Sequence, residues 1–270
     1  MKVKKLAFIN GKGGVGKSTS VVHVAGVLSK MGKKVLVIDL DKQRNTSDTL
    51  LMNAEYPSGG VFDAMMSSMT ADWTCLYDFT AKALLQTRAN ASPKHYGIDC
   101  MPADIRLENE NSLGIIDAQS FGNSLDAFVR REGYDWVLVD MPPSNKTLNA
   151  ICFSYIVDYI IVPFSSDIYS VSGYGDMMDT VQSARGLNPG LNTLGVYLSR
   201  YMANCAVDKH IRDQLSSYNT FIDVQIPLAA DVREGIMFGR PISYYKKSSK
   251  SRSAYEALVD EIIKRIDALG

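Results

Sequence analysis

A nine-residue segment near the N-terminus, residues 11–19, constrains this chain more than any other feature. Its sequence, Gly-Lys-Gly-Gly-Val-Gly-Lys-Ser-Thr, matches the pattern G-x-x-x-x-G-K-[ST] of a loop that wraps a polyphosphate. In such a loop the glycines let backbone N–H groups approach the phosphates, the lysine (Lys17) neutralises the β- and γ-oxygens, and the hydroxyl (Ser18) binds Mg²⁺. The apolar run 5–10 before the loop predicts a buried strand, and the stretch 20–28 after it predicts a helix whose N-terminus faces the phosphates.

The loop carries a second lysine, Lys12, directly after its first glycine. Residues 12–18 resemble the deviant Walker A loop of the ParA/MinD group of P-loop ATPases. In that group the extra lysine crosses a face-to-face dimer to the nucleotide of the partner subunit, so that ATP becomes part of the dimer interface. A charge that is merely solvated on the loop surface is the alternative.

Two carboxylates follow the next predicted strand, 34–38. Asp39 and Asp41 come at a strand's C-terminal end beside the loop, where an α/β sheet places catalytic and metal-binding groups. With Gln43 and Asn45 they resemble the family's A′ motif, D-x-D-P-Q-x-N. The resemblance implies that Asp41 positions or activates the attacking water and that Asp39 supports Mg²⁺ through water.

Two residues of this segment depart from the family pattern. Lys42 stands where proline is usual, and Arg44 where glycine is usual. Both carboxylates are still present at their motif positions. The conformation of the local turn and the contacts of Arg44 cannot be inferred from the motif. A simpler role for Asp41 or Asn45 is to cap the N-terminus of a helix, which is compatible with catalysis.

A third carboxylate ends the apolar run 136–139. A buried parallel strand that delivers an aspartate, here Asp140, to the magnesium shell is the Walker B arrangement. The following Met-Pro-Pro-Ser resembles the ParA form of this motif, and the segments 101–107 and 163–173 resemble two other segments of ParA proteins. The residues assigned to catalysis are Lys12, Lys17 and Asp41, and those assigned to the metal are Ser18, Asp39 and Asp140. The residues assigned to the nucleotide are Gly11, Lys12, Gly13, Gly14, Val15, Gly16, Lys17, Ser18 and Thr19, with Pro227 as a candidate for the base pocket.

Strands and helices alternate along the chain. The pattern predicts one α/β domain over residues 1–270, with a doubly wound and mostly parallel sheet of about seven strands. Helices are expected at 60–66, 81–85, 118–131 and 208–215, and the methionines Met65, Met66 and Met69 are read as core filler.

Composition limits the compartment and the partners. Basic and acidic residues balance at 29 each, so binding to nucleic acid requires a local patch. The four cysteines are widely spaced, and the chain starts without a signal-peptide pattern, which favours a cytoplasmic protein with reduced thiols. Their spacing also argues against relatives that bridge an iron–sulfur cluster at a dimer axis.

The C-terminal region supplies such a patch. By the resemblance, basic side chains here and near residue 200 present positive charge to DNA phosphates, and the alternative is a solvated basic loop. The candidates are Arg200, Arg233, Lys246, Lys247, Lys250 and Arg252. The final helix, 253–268, has an apolar stripe but lacks the basic face of a membrane-targeting helix, so packing in the core is expected.

The resemblance therefore implies a ParA-type partition ATPase. It would bind Mg·ATP, dimerise, hold nucleoid DNA without sequence preference, and dissociate when a centromere-binding, ParB-like partner stimulates hydrolysis. Two alternatives remain open: a MinD-like or other cargo-positioning ATPase, and a small-molecule ligase of the dethiobiotin synthetase kind.

Overall fold

The predicted motifs lie at the ends of strands in a single sheet. The structure is a computed structural model that describes residues 2–68, 73–85, 92–165 and 172–270, with backbone alone for 172–177. Within these residues one sheet contains eight strands, which are β1 (Lys4–Phe8), β2 (Val35–Asp39), β3 (Ala81–Leu85), β4 (Lys94–Met101), β5 (Trp136–Asp140), β6 (Tyr159–Phe164), β7 (Asn192–Tyr201) and β8 (Phe221–Pro227). Their order across the sheet is β3-β4-β2-β5-β1-β6-β7-β8.

Helices connect the strands and cover the sheet. They are α1 (Lys17–Lys30), α2 (Asn45–Leu50), α3 (Val61–Ser67), α4 (Glu110–Leu113), α5 (Ala118–Arg131), α6 (Lys146–Ile151), α7 (Ser172–Ala184), α8 (Ala206–Leu215), α9 (Ala230–Met237), α10 (Ile242–Tyr245) and α11 (Lys250–Asp267). Short 3₁₀ segments lie at Trp73–Phe79 and Ile105–Glu108, and a π-helical turn at Cys152–Ile156 follows α6.

The two faces of the sheet carry separate hydrophobic cores because successive side chains of a strand point to opposite faces. In β5, Val137 and Val139 pack in the same core as Phe121 of α5. Their neighbours Trp136 and Leu138 belong to the other core, which includes side chains of α1 and α11. Both faces are therefore covered, and the predicted doubly wound α/β class is confirmed.

One element was predicted wrongly. Residues 81–85 form the strand β3 and not a helix, so the sheet has eight strands where about seven were expected. β3 pairs antiparallel with β4 at the edge of the sheet. The sequence Ala-Lys-Ala-Leu-Leu contains good helix formers, but Ala81, Ala83 and Leu85 alternate into the interior, and strand pairing overrides the weak helix preference.

The other helices agree with the sequence in place, if not always in length. The prediction for α5 is confirmed at both ends, whereas α8 begins two residues earlier than expected. The last helix begins at Lys250 and buries Tyr255, Leu258 and Ile262, which confirms the expected core packing. Met65 is likewise buried, while Met69 lies outside the described residues. Among the helices described, none combines the length and the apolar character needed to cross a membrane.

The strand register brings three motifs to one edge of the sheet. β5 lies between β1 and β2, and Asp140 is level with both Phe8 and Asp39. The loop after β1 and the carboxylates that end β2 and β5 therefore meet at the carboxyl ends of neighbouring parallel strands. Strand order reverses beside β1, and such a switch point is where open α/β sheets bind ligands.

Candidate nucleotide-binding site

The loop between β1 and α1 folds around the amine of Lys17. The Lys17 Nζ donates to the backbone oxygens of Asn10 and Lys12, each at 3.1 Å. Gly14 and Gly16 adopt φ of +75° and +89°. This left-handed conformation is strained for a residue with a Cβ but not for glycine. The lysine side chain thus joins the two ends of the loop.

Burial makes the Lys17 ammonium responsive to negative charge. Desolvation lowers the pKa of Lys17, and the nearby carboxylates of Asp140 and Asp41 act in the opposite direction. An anion bound in the loop would act in the same sense as these carboxylates and favour the charged lysine.

Lys12 occupies a different position from Lys17. Its backbone N–H donates to the side-chain oxygen of Asn10 at 2.9 Å, which anchors the start of the loop. The residue is half-buried, and its chain neighbours Gly11 and Gly13 are exposed. A Cβ placed on Gly13 would meet no atom within 4 Å, so open space borders this part of the loop.

Asp39 is fully buried, and protein donors engage both of its oxygens. Asp39 Oδ1 accepts the backbone N–H of Asp41 at 3.0 Å. Asp39 Oδ2 accepts the backbone N–H and the hydroxyl of Ser47, at 2.9 and 2.7 Å. Burial, and then the charge of Asp140, raise the pKa of Asp39. This carboxylate therefore orders the segment after β2, and its predicted support of Mg²⁺ stays a prediction.

The two oxygens of Asp140 differ in their hydrogen bonding. Asp140 Oδ2 accepts the Thr46 hydroxyl at 2.8 Å, whereas Oδ1 is buried without a partner among the described residues. Desolvation is the main cause that raises the pKa of Asp140. A buried, unpaired carboxylate oxygen beside Ser18 is what a hydrated Mg²⁺ would satisfy.

In the segment 41–45, the structure shows the contacts of Asp41 and of the two residues that depart from the family pattern, Lys42 and Arg44. Asp41 lies beside the loop, and its Oδ1 accepts the N–H of Gln43 at 3.0 Å. Lys42 forms an exposed ion pair with Glu108. Arg44 takes the glycine-like φ of +57°, and its guanidinium lies 4.7 Å from the ring centre of Tyr56.

The capping alternative is not what the structure shows. Arg44 is the residue at the N-cap of α2, and it makes no side-chain cap. Asn45 is already the first helical residue, and Asp41 lies three residues before the cap. Asp41 therefore does not cap this helix. This agrees with its predicted catalytic role but does not test that role.

A cleft of about 780 Å³ joins the loop to the ends of β7 and β8. Gly13, Lys17 and Ser18 line one side, and Pro227 and Arg200 line the other. The volume suits a nucleotide-sized ligand. Pro227 therefore lies where a base pocket was expected, although its contact with a base stays a prediction.

The basic residues assigned to DNA fall into two groups. Arg200 and Arg233 line the cleft, and the Arg200 guanidinium donates to the backbone oxygen of Gly14 at 2.6 Å. The others belong to what we call the basic loop, which comprises residues 246–249 and the first three residues of α11, 250–252. There the lysines Lys246, Lys247 and Lys250 are exposed, while Arg252 pairs with Glu256 at 2.7 Å.

Several site residues were missed in the sequence. Thr46 and Ser47 bind the carboxylates of Asp140 and Asp39, but no motif marks them. Ser199, at the end of a strand where a base pocket was expected, contacts the loop through the backbone oxygen of Val15. The segment 166–171, part of a family-like stretch, lies outside the described residues.

The residues fit a nucleoside triphosphate with magnesium. A cluster of three or more His, Cys, Asp or Glu side chains able to hold a metal alone is absent from the described residues. Mg²⁺ commonly binds through few protein groups, phosphates and water, and Ser18 with the unpaired Asp140 oxygen would serve it here. Fold and site together define a P-loop nucleotide-binding protein.

Comparison with known proteins places the chain within that class. The profile of a family described as AAA domain matches residues 3–193, and the chain belongs to this family. Among its relatives is the chromosome-partitioning ATPase Soj of Thermus thermophilus, 29% identical and covered over 98% of this chain and 97% of its own. The chromosome partitioning protein ParA of Caulobacter vibrioides is 29% identical over 97% of this chain and 95% of its own. The predicted ParA-type resemblance and ATPase class are confirmed.

Solved structures share the fold. Cobyrinic acid a,c-diamide synthase from Mycobacterium smegmatis, with bound ADP and magnesium, has a TM-score of 0.73 at 22% identity, covering 98% of this chain and 96% of its own. The cell division ATPase MinD of Pyrococcus furiosus has a TM-score of 0.68 at 21% identity, covering 98% and 99%. Adenine nucleotide and magnesium as ligands of this fold are confirmed.

Proposed function

We propose that this chain is a partition ATPase that works as an ATP-dependent clamp on DNA. Two protomers bind Mg·ATP and associate face to face, each closing the site of the other with Lys12. The dimer binds double-stranded DNA of any sequence and is nucleoid-associated while it does so. A ParB-like, centromere-binding partner stimulates hydrolysis, and the dimer separates and leaves the DNA.

The different positions of the two loop lysines carry this proposal. Lys17 is buried within its own loop and joins Asn10 to the backbone of Lys12, so it serves the nucleotide of its own chain. Lys12 is half-buried between two exposed glycines, and open space borders Gly13. A cation in that place is suited to reach a second molecule that docks on the same face.

The chain's own residues account for slow turnover. Mg²⁺ bound with the triphosphate would neutralise charge on the phosphate oxygens. Lys17 holds the phosphate end from within the loop, and Thr46 fixes the carboxylate of Asp140 on the metal side. Asp41, near the surface of the cleft, orients the attacking water. In phosphoryl transfer such positioning is most of the catalysis, so a partner that completes it accelerates the reaction.

DNA binding is supported by the basic loop. Lys246 and Lys247 follow α10, Lys250 begins α11, and all three are exposed. Backbone oxygens of Lys246 and Lys247 accept from the guanidinium of Arg252, which orders this loop. A cluster of lysines on an ordered loop favours contacts with phosphates that do not depend on sequence.

Light scattering with Mg·ATP tests the clamp through two variants with opposite results. Lys12→Ala should remain monomeric, because the contact across the interface is lost. Asp41→Ala should bind ATP and form a longer-lived dimer, because only turnover is removed. Lys209→Ala, an exposed lysine of α8, is the matched control and should dimerise like the wild type.

The contrary results are equally defined. Full dimerisation of the Lys12→Ala variant would overturn the trans-acting role of Lys12. A wild type that binds Mg·ATP and stays monomeric would favour the ligase alternative, and ATP-dependent binding to lipid vesicles without DNA binding would favour the MinD-like one.

A further inference from the structure

A bulge at the end of β7 changes the direction of one side chain. In the pairing of β7 with β8, Leu198 is level with Gln225 and Tyr201 with Pro227, so β7 carries one residue more than β8 in this interval. Arg200 lies in the interval and has a φ of +57°. Bulges next to active sites commonly re-aim a side chain, and a left-handed arginine is strained enough to require a reason.

The re-aimed side chain contacts the phosphate-binding loop. The Arg200 Nη1 donates to the backbone oxygen of Gly14 at 2.6 Å, and the neighbouring Ser199 hydroxyl donates to the backbone oxygen of Val15. Two residues earlier, the Tyr197 hydroxyl donates to Ser20 in α1 at 2.7 Å. The end of β7 therefore engages the loop and the start of its helix at three points.

These contacts set the direction of two peptide groups. A trans peptide points its C=O and its N–H in opposite directions, and the described residues contain no cis peptide. Because the oxygens of Gly14 and Val15 face β7, the N–H groups of Val15 and Gly16 point away from it. Neither N–H donates to a backbone oxygen among the described residues, so both are available to an anion.

We propose that Arg200 is a positioning residue of the nucleotide site, which holds the Gly14 peptide so that the next N–H group faces the phosphates. This inference rests on the proposed binding of Mg·ATP. It gives Arg200 a role other than the DNA contact expected from the sequence. The bulge, the left-handed φ and the hydrogen bond are all explained by this single role.

The test compares three substitutions by titrating a fluorescent ATP analogue with Mg²⁺, without DNA. Arg200→Ala should bind about tenfold more weakly, the usual effect of one charge-assisted hydrogen bond. Arg200→Gln keeps an N–H donor on a side chain two bonds shorter and should recover part of the affinity that the alanine variant loses. Arg200→Gly relieves the backbone strain yet should lose affinity as the alanine variant does. Arg212→Ala, which removes a surface ion pair with Asp223, is the matched control.

Thermal unfolding and DNA binding of the same variants complete the test. Thermal unfolding without nucleotide should be similar for all variants, since the contact acts on the loop rather than on the core. Unchanged analogue affinity in Arg200→Ala, with DNA binding lost, would overturn the proposal in favour of a DNA contact. Equal losses in the alanine and glutamine variants would overturn it in favour of a charge acting directly on the nucleotide. Failure of the wild type to bind the analogue would instead remove the proposed function itself.

Discussion

Thr46 donates its hydroxyl to Asp140 Oδ2 at 2.8 Å across a separation of 94 residues. Both side chains are fully buried. The bond joins the first turn of α2 to the end of β5, so the segment that carries Asp41 and the carboxylate beside Ser18 move as one unit. A buried carboxylate depends strongly on the donors that satisfy it, and the Thr46 hydroxyl is one of them.

Removal of this donor should destabilise the protein. Thr46→Val keeps the shape of the side chain but leaves the second oxygen of Asp140 without its hydroxyl donor, which costs about 1–3 kcal/mol of the free energy of unfolding. Urea unfolding of the ligand-free protein measures this loss. Thr46→Ser should recover most of it, because the hydroxyl is restored.

The same helix offers a matched control. The Thr49 hydroxyl donates to the backbone oxygen of Asn45 within α2. Thr49→Val removes a hydroxyl from the same helix without exposing a charge to the interior, so it should cost less than about 1 kcal/mol. Equal losses at Thr46 and Thr49 would show that Asp140 does not depend on the hydroxyl.

A second buried polar group makes stability depend on pH. His23, on the buried face of α1, has its Nδ1 accept from the N–H of Ile242 at 3.0 Å, and its Nε2 lies 3.3 Å from the Val232 oxygen. Burial lowers its pKa from 6.5 to about 4, although the Val232 oxygen and the carboxylate of Asp231 act in the opposite direction. The ring is neutral in the folded protein and joins α1 to α9 and to the start of α10.

The sign of the pH effect follows from proton uptake. Below pH 6.5 the unfolded chain protonates His23 while the folded chain does not, so stability is complete above pH 6.5 and is lost as the pH falls towards 4. Between pH 7 and pH 5 the loss should be about 2 kcal/mol. Urea unfolding at half-unit intervals of pH measures it. The loss should appear in the stability of the wild type minus that of His23→Gln, because the raised pKa values of Asp39 and Asp140 affect both proteins alike. A difference that is constant over the range would contradict the buried neutral ring.

Most of the sheet could be predicted because parallel strands buried on both faces leave an unambiguous signal. The runs that became β2 and β5 are continuous and apolar, and each ends in an aspartate. β3 could not be predicted, since its identity depends on pairing with β4, and its composition favours a helix. Local preference decides least at the edge of a sheet.

The site divides in the same way. Lys17, Asp41 and Asp140 could be predicted because each belongs to a short motif at the end of a strand. Thr46 and the contact of Arg200 with the loop could not, because their partners are distant in the chain and the left-handed Arg200 lies in the bulge of β7. Motifs mark the groups that touch a ligand, while the groups that hold them depend on the tertiary fold.

Charge reversal in the basic loop should separate DNA binding from dimerisation. Lys246, Lys247 and Lys250 are exposed, so their replacement by Glu should leave folding and ATP-dependent light scattering unchanged. If these lysines contact phosphates, DNA affinity of the ATP-bound protein should fall by about 10²-fold or more at low salt, and the slope of log affinity against log salt should decrease by about three.

A control with Lys82, Lys209 and Lys264 replaced by Glu has the same change in net charge on other exposed surfaces. Filter retention with ATP, with ADP and without nucleotide, across a salt series, makes the comparison. Equal losses in both triple variants would indicate a general electrostatic effect, and an unchanged affinity in the first would place the DNA contact elsewhere, since the local charge would then have no effect on binding.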